Sequence, residues 1–164
     1  MTIVKWLFIV LAALALAAVV AGQLGLLRGK MPADLGVHDG LLKPPSTTEN
    51  SVSSQAALHP AHPMHEQAAI APLALRGGDG PATLARIKAI VSTTSGATVV
   101  TSAPDYLYTQ FETRWMKYVD DVEFWFDPKA NVVQVRSASR VGRGDLNANR
   151  QRIEAIRARL AGAP

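Results

Sequence analysis

The chain predicts an α+β domain behind an N-terminal membrane helix, with an antiparallel β-meander of three to five strands packed against two helices. Three observations carry this expectation. The chain opens on a long apolar run, residues 118–140 alternate in two halves about a Pro/Asn turn, and segments with helical periodicity flank the alternating stretches on both sides.

Between Trp6 and Leu27 the only strongly polar side chain is Gln23. As a helix, this run would span about 33 Å, close to the hydrocarbon thickness of a bilayer. Residues 1–31 therefore read as a signal-anchor, with residues 6–27 meeting the membrane. Val19-Val20-Ala21 and Val20-Ala21-Gly22 both offer the small-residue pattern of a signal-peptidase site, and Lys5 supplies a charged n-region. The apolar run continues through Leu24, Leu26 and Leu27, which favours an uncleaved anchor over export after cleavage. Charge does not set the orientation, because Lys5 on one side faces Arg28 and Lys30 on the other.

Residues 32–69 are rich in Pro, Ser, Thr, Ala and His and read as irregular chain wrapping onto the domain formed by residues 70–164. Within this segment Leu35–Leu42 brackets a turn at His38-Asp39-Gly40. His59, His62 and His65 are a weak metal candidate. Two prolines prevent their presentation on a helix, and Glu66 is the only acidic neighbour. No cofactor is expected.

Ile70–Leu75 suits a short edge strand, since Pro72 cannot donate a ladder hydrogen bond. Gly77-Gly78-Asp79-Gly80 ends it, and Pro81 opens a helix whose Leu84, Ile87, Ile90 and Val91 share one side. The glycine run lacks the Gly-Lys-Ser/Thr ending of a phosphate loop and reads as a turn. Ala97–Thr101 and Asp105–Thr113 are expected strands, the second turning Leu107, Thr109 and Phe111 one way and Tyr106, Tyr108 and Gln110 the other. Thr113–Lys117 connects onward, with Trp115 and Met116 expected in the core. Asp145 caps a helix running to about Leu160, with Leu146, Ile153, Ile156 and Leu160 as its apolar stripe.

The hairpin at 118–140 sets a register. A four-residue loop Pro128–Asn131 pairs Phe126 with Val133, Phe124 with Val135, Val122 with Ser137, and Glu123 with Arg136. Its polar face, Asp121 and Glu123 beside Arg136 and Arg140, is the candidate ligand-binding site. Strict alternation turns Asp120, Ser137 and Ser139 to the other face unless a bulge re-aims them. As structure, Glu123 and Arg136 form a cross-strand ion pair and Asp121 reaches Arg140 diagonally. As function, two carboxylates beside two guanidiniums could hold a small anionic or polar ligand, or supply a general acid and base. Ser53 and Ser54 lack a base at a suggestive spacing, and His38 reads as a turn residue.

The absence of cysteine excludes disulfides, thiolate metal sites, cysteine nucleophiles and a lipobox. The formal charge of +4 comes largely from arginines in the last part of the chain. Those arginines have no aromatic partners for stacking bases, so nucleic acid is a poor fit.

The chain resembles the bacterial and plastid family catalogued as domain of unknown function 1499. The carriers are Leu35-Gly36-Val37, Asp39-Gly40, Asn50, Val52–Gln55, Ile70–Leu73, Asp105–Leu107 and Val119–Phe124. Above all they include Val135–Gly142 followed by Asp145, Leu146, Asn149, Arg150 and Arg152. The resemblance brings no activity. It implies cysteines where this chain has Pro45 and Ser51, so a staple or thiol function carried by that pair is missing here. It also implies an exported or lumenal domain, hence a single-pass inner-membrane protein with a periplasmic domain. Three readings follow: a tethered module binding a small ligand or an envelope protein, a hydrolase or lyase using Asp120, Asp121 or Glu123, and a purely structural envelope component.

Overall fold

The computed structural model describes residues 2–162, beginning with helix α1 (Thr2–Gln23). This helix is long and apolar enough to cross a membrane, and its large apolar side chains project away from the rest of the protein. Strands follow as β1 (Ser51–Ser53), β2 (Leu73–Ala74), β3 (Ala97–Ser102), β4 (Tyr106–Glu112), β5 (Val119–Asp127) and β6 (Val132–Ser139). Helix α2 (Gly80–Ser92) precedes β3, and α3 (Ala148–Leu160) follows β6. The sheet order is β1-β6-β5-β4-β3, so β3 to β6 form an antiparallel meander while β1 and β2 share the outer edge of β6.

The central hairpin has the register its alternation predicts: Phe126 opposite Val133, Phe124 opposite Val135, Val122 opposite Ser137, and Glu123 opposite Arg136. Asn131 closes the turn with a φ of 56°. Asp127 Oδ1 accepts the amides of Lys129 and Ala130 at 3.0 and 3.1 Å, fixing the loop that sets the register.

Helices α2 and α3 cover one face of the sheet. Leu84, Ile87 and Val91 from α2 and Ile153, Ile156 and Leu160 from α3 meet Val122, Phe124, Val133 and Val135 in one buried cluster. Each fully buried aliphatic or aromatic side chain contributes about 1.5–3 kcal/mol relative to exposure, so this face is the main stabilising layer. Asp79 caps α2 by accepting the Ala82 amide at 2.9 Å. At Gly80 a Cβ would lie 2.3 Å from Phe126 Cγ, so the glycine lets the helix start against the hairpin.

Three local expectations are corrected. Leu146 is 96% exposed, because α3 starts at Ala148 and Asn149 occupies the stripe position ahead of Ile153. Asp145 still caps the helix, accepting the amides of Asn147 and Asn149. Trp115 is 61% exposed, because the 113–118 turn closes on itself through Thr113 and Tyr118 rather than folding inward. Ser53, expected in irregular chain, lies in β1, where three short residues pair with β6 too briefly to show a period.

Candidate functional site

The sheet face opposite the helices is built by alternation from β4, β5 and β6. It gathers Tyr106, Tyr108, Asp121, Glu123, Arg136 and Arg140. Asp121 is 1% exposed and accepts a two-pronged contact from Arg140, Nε to Oδ2 at 2.8 Å and Nη2 to Oδ1 at 2.7 Å. The Tyr108 hydroxyl donates to the same Oδ1 at 2.5 Å. This pair is geometrically complete, as a guanidinium fork on a carboxylate should be.

Its neighbour is not. Glu123 is 0% exposed and its Oε1 accepts the Tyr106 hydroxyl and the Gly36 amide, both at 2.7 Å. Its Oε2 stands 3.8 Å from Arg136 Nη1, and neither atom has a hydrogen-bond partner among the described residues. Arg136 is 3% exposed, with Nε donating to the Pro44 carbonyl at 3.2 Å. A buried ion pair with a gap at its centre has lost most of its hydration without recovering the contact that would offset it.

The covering layer is the chain that follows α1. It touches the face at Met31, whose sulfur lies 3.7 Å from Gln110 Nε2, at Gly36, and at Pro44. Between these points Asp39 and Gly40 turn the chain at positive φ, with His38 and Leu41 bridged across the turn. Gln55 ties this strap down by donating to the Gly40 carbonyl and accepting the Leu42 amide. Its far end is pinned where the Ser46 amide donates to Ser51 Oγ at 2.8 Å. That bond runs from the residue after Pro45 to Ser51, and Pro45 and Ser51 are the two positions at which the family resemblance implies cysteines.

Asp120, Ser137 and Ser139 lie on the helix face, because β5 and β6 pair without a bulge. There they form a second network. Arg152 donates to Asp120 Oδ2 at 2.5 Å, Ser137 Oγ at 2.9 Å and Asn149 Oδ1 at 2.7 Å, with its guanidinium 4.6 Å from the centroid of the Phe111 ring. Asn149 Nδ2 donates to Ser139 Oγ and to the Asn50 carbonyl, joining α3 to the end of β6. Asp120 and Ser139 also border an open cleft of about 400 Å³ with Tyr118 and Asp145. The candidate residues thus fall into two sets on opposite faces, with Asp121, Glu123, Arg136 and Arg140 together and Asp120, Ser137 and Ser139 apart.

Electrostatics distinguishes the members of the first set. Burial pushes the Glu123 carboxyl up, against the pull of Gly36, Tyr106 and Arg136. Burial likewise lowers the Arg136 guanidinium, with Glu123 and Asp121 opposing the shift. Tyr106 is raised by burial and by Glu123, which keeps its hydroxyl a donor. Arg140 is raised, chiefly by its hydrogen bonds to Asp121. Asp121 therefore stabilises Arg140 as an ion, whereas Glu123 and Arg136 are each driven toward neutrality.

The three loop histidines head consecutive turns, with the His62 amide bonded to the His59 carbonyl and the His65 amide to the His62 carbonyl. His62 Nδ1 accepts the Met64 amide, and His65 Nδ1 contacts the His62 carbonyl. Among the described residues no three His, Asp or Glu side chains are gathered as a metal site. Tyr106, Tyr108, Gly36 and Pro44 were absent from the expected site. The tyrosines were signalled by the alternation of β4, while strap contacts between residues 87 and 92 positions apart leave no periodic trace.

No curated protein and no solved structure matches the chain. A family match does extend over residues 41–160, spanning the strap's end, the whole sheet, and α2 and α3. It includes the Asp121, Glu123, Arg136 and Arg140 face and the Arg152 network alike, and the chain belongs to the family described as Protein of unknown function (DUF1499).

Proposed function

We propose that this protein is a membrane-tethered, extracytoplasmic binding module whose charged sheet face takes a small anionic or polar ligand, with the strap as its cover. One observation carries the reading: the buried Glu123 Oε2 and Arg136 Nη1 face each other across 3.8 Å, and neither is hydrogen-bonded by any of the described residues. Displacing the strap would free Glu123 Oε1 from Gly36 and Arg136 Nε from Pro44. The Glu123 carboxylate and the Arg136 guanidinium would then be open to a ligand, beside the Asp121–Arg140 pair and with Tyr106 and Tyr108 holding the carboxylates in place. Because the strap continues directly from the anchor, a ligand or an envelope protein that moves it acts near the membrane.

A thermal-shift screen of full-length protein in detergent, using anionic, zwitterionic and sugar-like compounds, tests this. A ligand at about 100 times its Kd stabilises by about 2.7 kcal/mol. The reading requires a compound that raises the Tm of the native protein and does not raise that of the Glu123→Gln/Arg136→Met variant. Equal shifts in both, or none with any compound, would remove this face as the site. Sidedness is tested by Lys129→Cys, at the tip of the hairpin, in a chain with no other cysteine. A membrane-impermeant maleimide should label it in intact spheroplasts, and labelling only after lysis would place the domain in the cytoplasm.

The raised carboxyl of Glu123 beside the Tyr106 hydroxyl favours a second reading, acid–base catalysis on a ligand held by the guanidiniums. Turnover of ester, glycoside or phosphate substrates that disappears in Glu123→Gln would support it. Turnover unchanged in that variant would dismiss it.

A further inference from the structure

Helix α1 ends at Gln23, whose side-chain amide donates to the Arg114 carbonyl at 3.3 Å and the Trp115 carbonyl at 2.8 Å. One residue earlier, a Cβ on Gly22 would come within 2.7 Å of Met116 O, so the glycine is what lets the helix end and the β4–β5 turn touch. A spanning helix places its last turn in the headgroup layer. The backbone of residues 114–116, bonded to that last turn, is then at the same depth.

The side chains there suit that depth. Trp115 is exposed, with the Arg114 guanidinium 5.0 Å from its ring centroid, and Tyr118, Leu24 and Leu26 are exposed as well. The Thr113 and Lys117 backbone bond holds the turn in shape, so Trp115 is displayed on an ordered loop. Tryptophan and tyrosine are the side chains enriched at membrane interfaces, where an apolar ring meets polar headgroups. On the two segments that meet, 20–30 and 112–118, the cations Arg28, Lys30, Arg114 and Lys117 outnumber one carboxylate, Glu112, which bridges Arg28 and Lys117. Cations at a membrane surface are attracted to anionic lipid.

We infer that the β4–β5 turn is a second membrane contact. Trp115 and Tyr118 sit in the headgroup layer of the bilayer that α1 crosses, Arg114 and Lys30 face lipid phosphates, and the domain rests on the membrane rather than hanging from a free tether. The inference depends on α1 being an anchor. It also places the 31–44 strap between a fixed membrane contact and the charged sheet face.

Single-tryptophan quenching separates the two claims. Full-length protein in phosphatidylcholine vesicles containing phosphatidylglycerol is compared as Trp6→Phe/Trp125→Phe, which leaves Trp115, and as Trp115→Phe/Trp125→Phe, which leaves Trp6. Trp115 emission should be blue-shifted and quenched by a headgroup-level spin label more than by a mid-chain label, and Gly22→Leu should reduce that quenching. Trp115 quenched only by aqueous iodide, with Trp6 shielded from iodide and quenched by the lipid labels, would leave the anchor standing and overturn this inference. Protection of Trp115 from both iodide and lipid labels would place it against protein and overturn it too. A Trp6 that escapes both lipid labels would defeat the anchor and this inference together.

Discussion

Replacing Glu123 and Arg136 together by Gln and Met should leave the domain as stable as before or more so, while the same exchange at Asp121 and Arg140 should destabilise it. The two pairs share one sheet face and differ in geometry. At Glu123–Arg136 the approach is 3.8 Å with two buried polar atoms unpaired, so the exchange removes two desolvated charges and little attraction. Buried pairs replaced by well-packed apolar side chains of similar volume range from no change to about 1–4 kcal/mol of added stability, and the loss of the Arg136–Pro44 bond places this exchange at the lower end. At Asp121–Arg140 two contacts of 2.8 and 2.7 Å and the Tyr108 hydroxyl would be lost, and hydrogen bonds to charged groups contribute about 1.5–3 kcal/mol each. Single substitutions behave differently again. Arg136→Met alone strands the Glu123 carboxyl and should cost about 3–5 kcal/mol where that carboxyl is ionised. Urea unfolding of full-length protein in detergent measures all of these, provided the m-value is unchanged. A Glu123→Gln/Arg136→Met variant destabilised by more than about 2 kcal/mol would refute the view that this pair is kept for something other than stability.

Arg152→Met should cost about 3–5 kcal/mol by stranding Asp120, and Asp120→Asn in the same chain should restore part of it, both read by urea unfolding. The raised Glu123 carboxyl means the folded state holds a proton that the unfolded chain has released. Its contribution to stability therefore falls as pH rises from the ordinary glutamate value, about 4.3, through its raised folded value, and Glu123→Gln should flatten that fall. Asp127 has the opposite sign. Burial raises its carboxyl, but the bonds from Gln134, Ala130 and Lys129 outweigh burial and lower it. Its contribution is therefore present above about 3.9 and lost as pH falls, and Asp127→Asn should flatten the acid limb. Pro45→Cys/Ser51→Cys should oxidise to a disulfide and add about 2 kcal/mol, reversed by reductant, because the Ser46–Ser51 bond holds the neighbour of Pro45 against Ser51. Failure of the thiols to pair would break the link between the family's cysteines and the strap.

Legibility followed the range of the interactions. The central hairpin was readable to the residue because a period of two and a four-residue loop leave one register, and Glu123 opposite Arg136 follows from it. The split between Asp121 and Asp120, neighbours in sequence on opposite faces, was readable for the same reason. Burial of the charged face was not. It depends on a strap without periodicity, anchored by single contacts at Gly36 and Pro44, and only the folded chain brings those to β5 and β6. Leu146 was misplaced because an apolar residue beside a capping Asp145 fits a helical stripe by spacing alone, whereas the cap itself sets Leu146 and Asn147 at positive φ before the helix begins. Trp115 was misplaced because a large aromatic in a soluble domain belongs inside. Its neighbour in space is the end of α1, 92 positions away.

Whether the face around Glu123 and Arg136 holds a ligand can be read by native mass spectrometry of the protein purified gently in detergent from its own host, beside the Glu123→Gln/Arg136→Met variant. A bound ligand gives a reproducible mass above that of the polypeptide in the native protein, absent from the variant although the variant is folded and at least as stable. Identical spectra from the two proteins, whether both carry the mass or neither does, would contradict it.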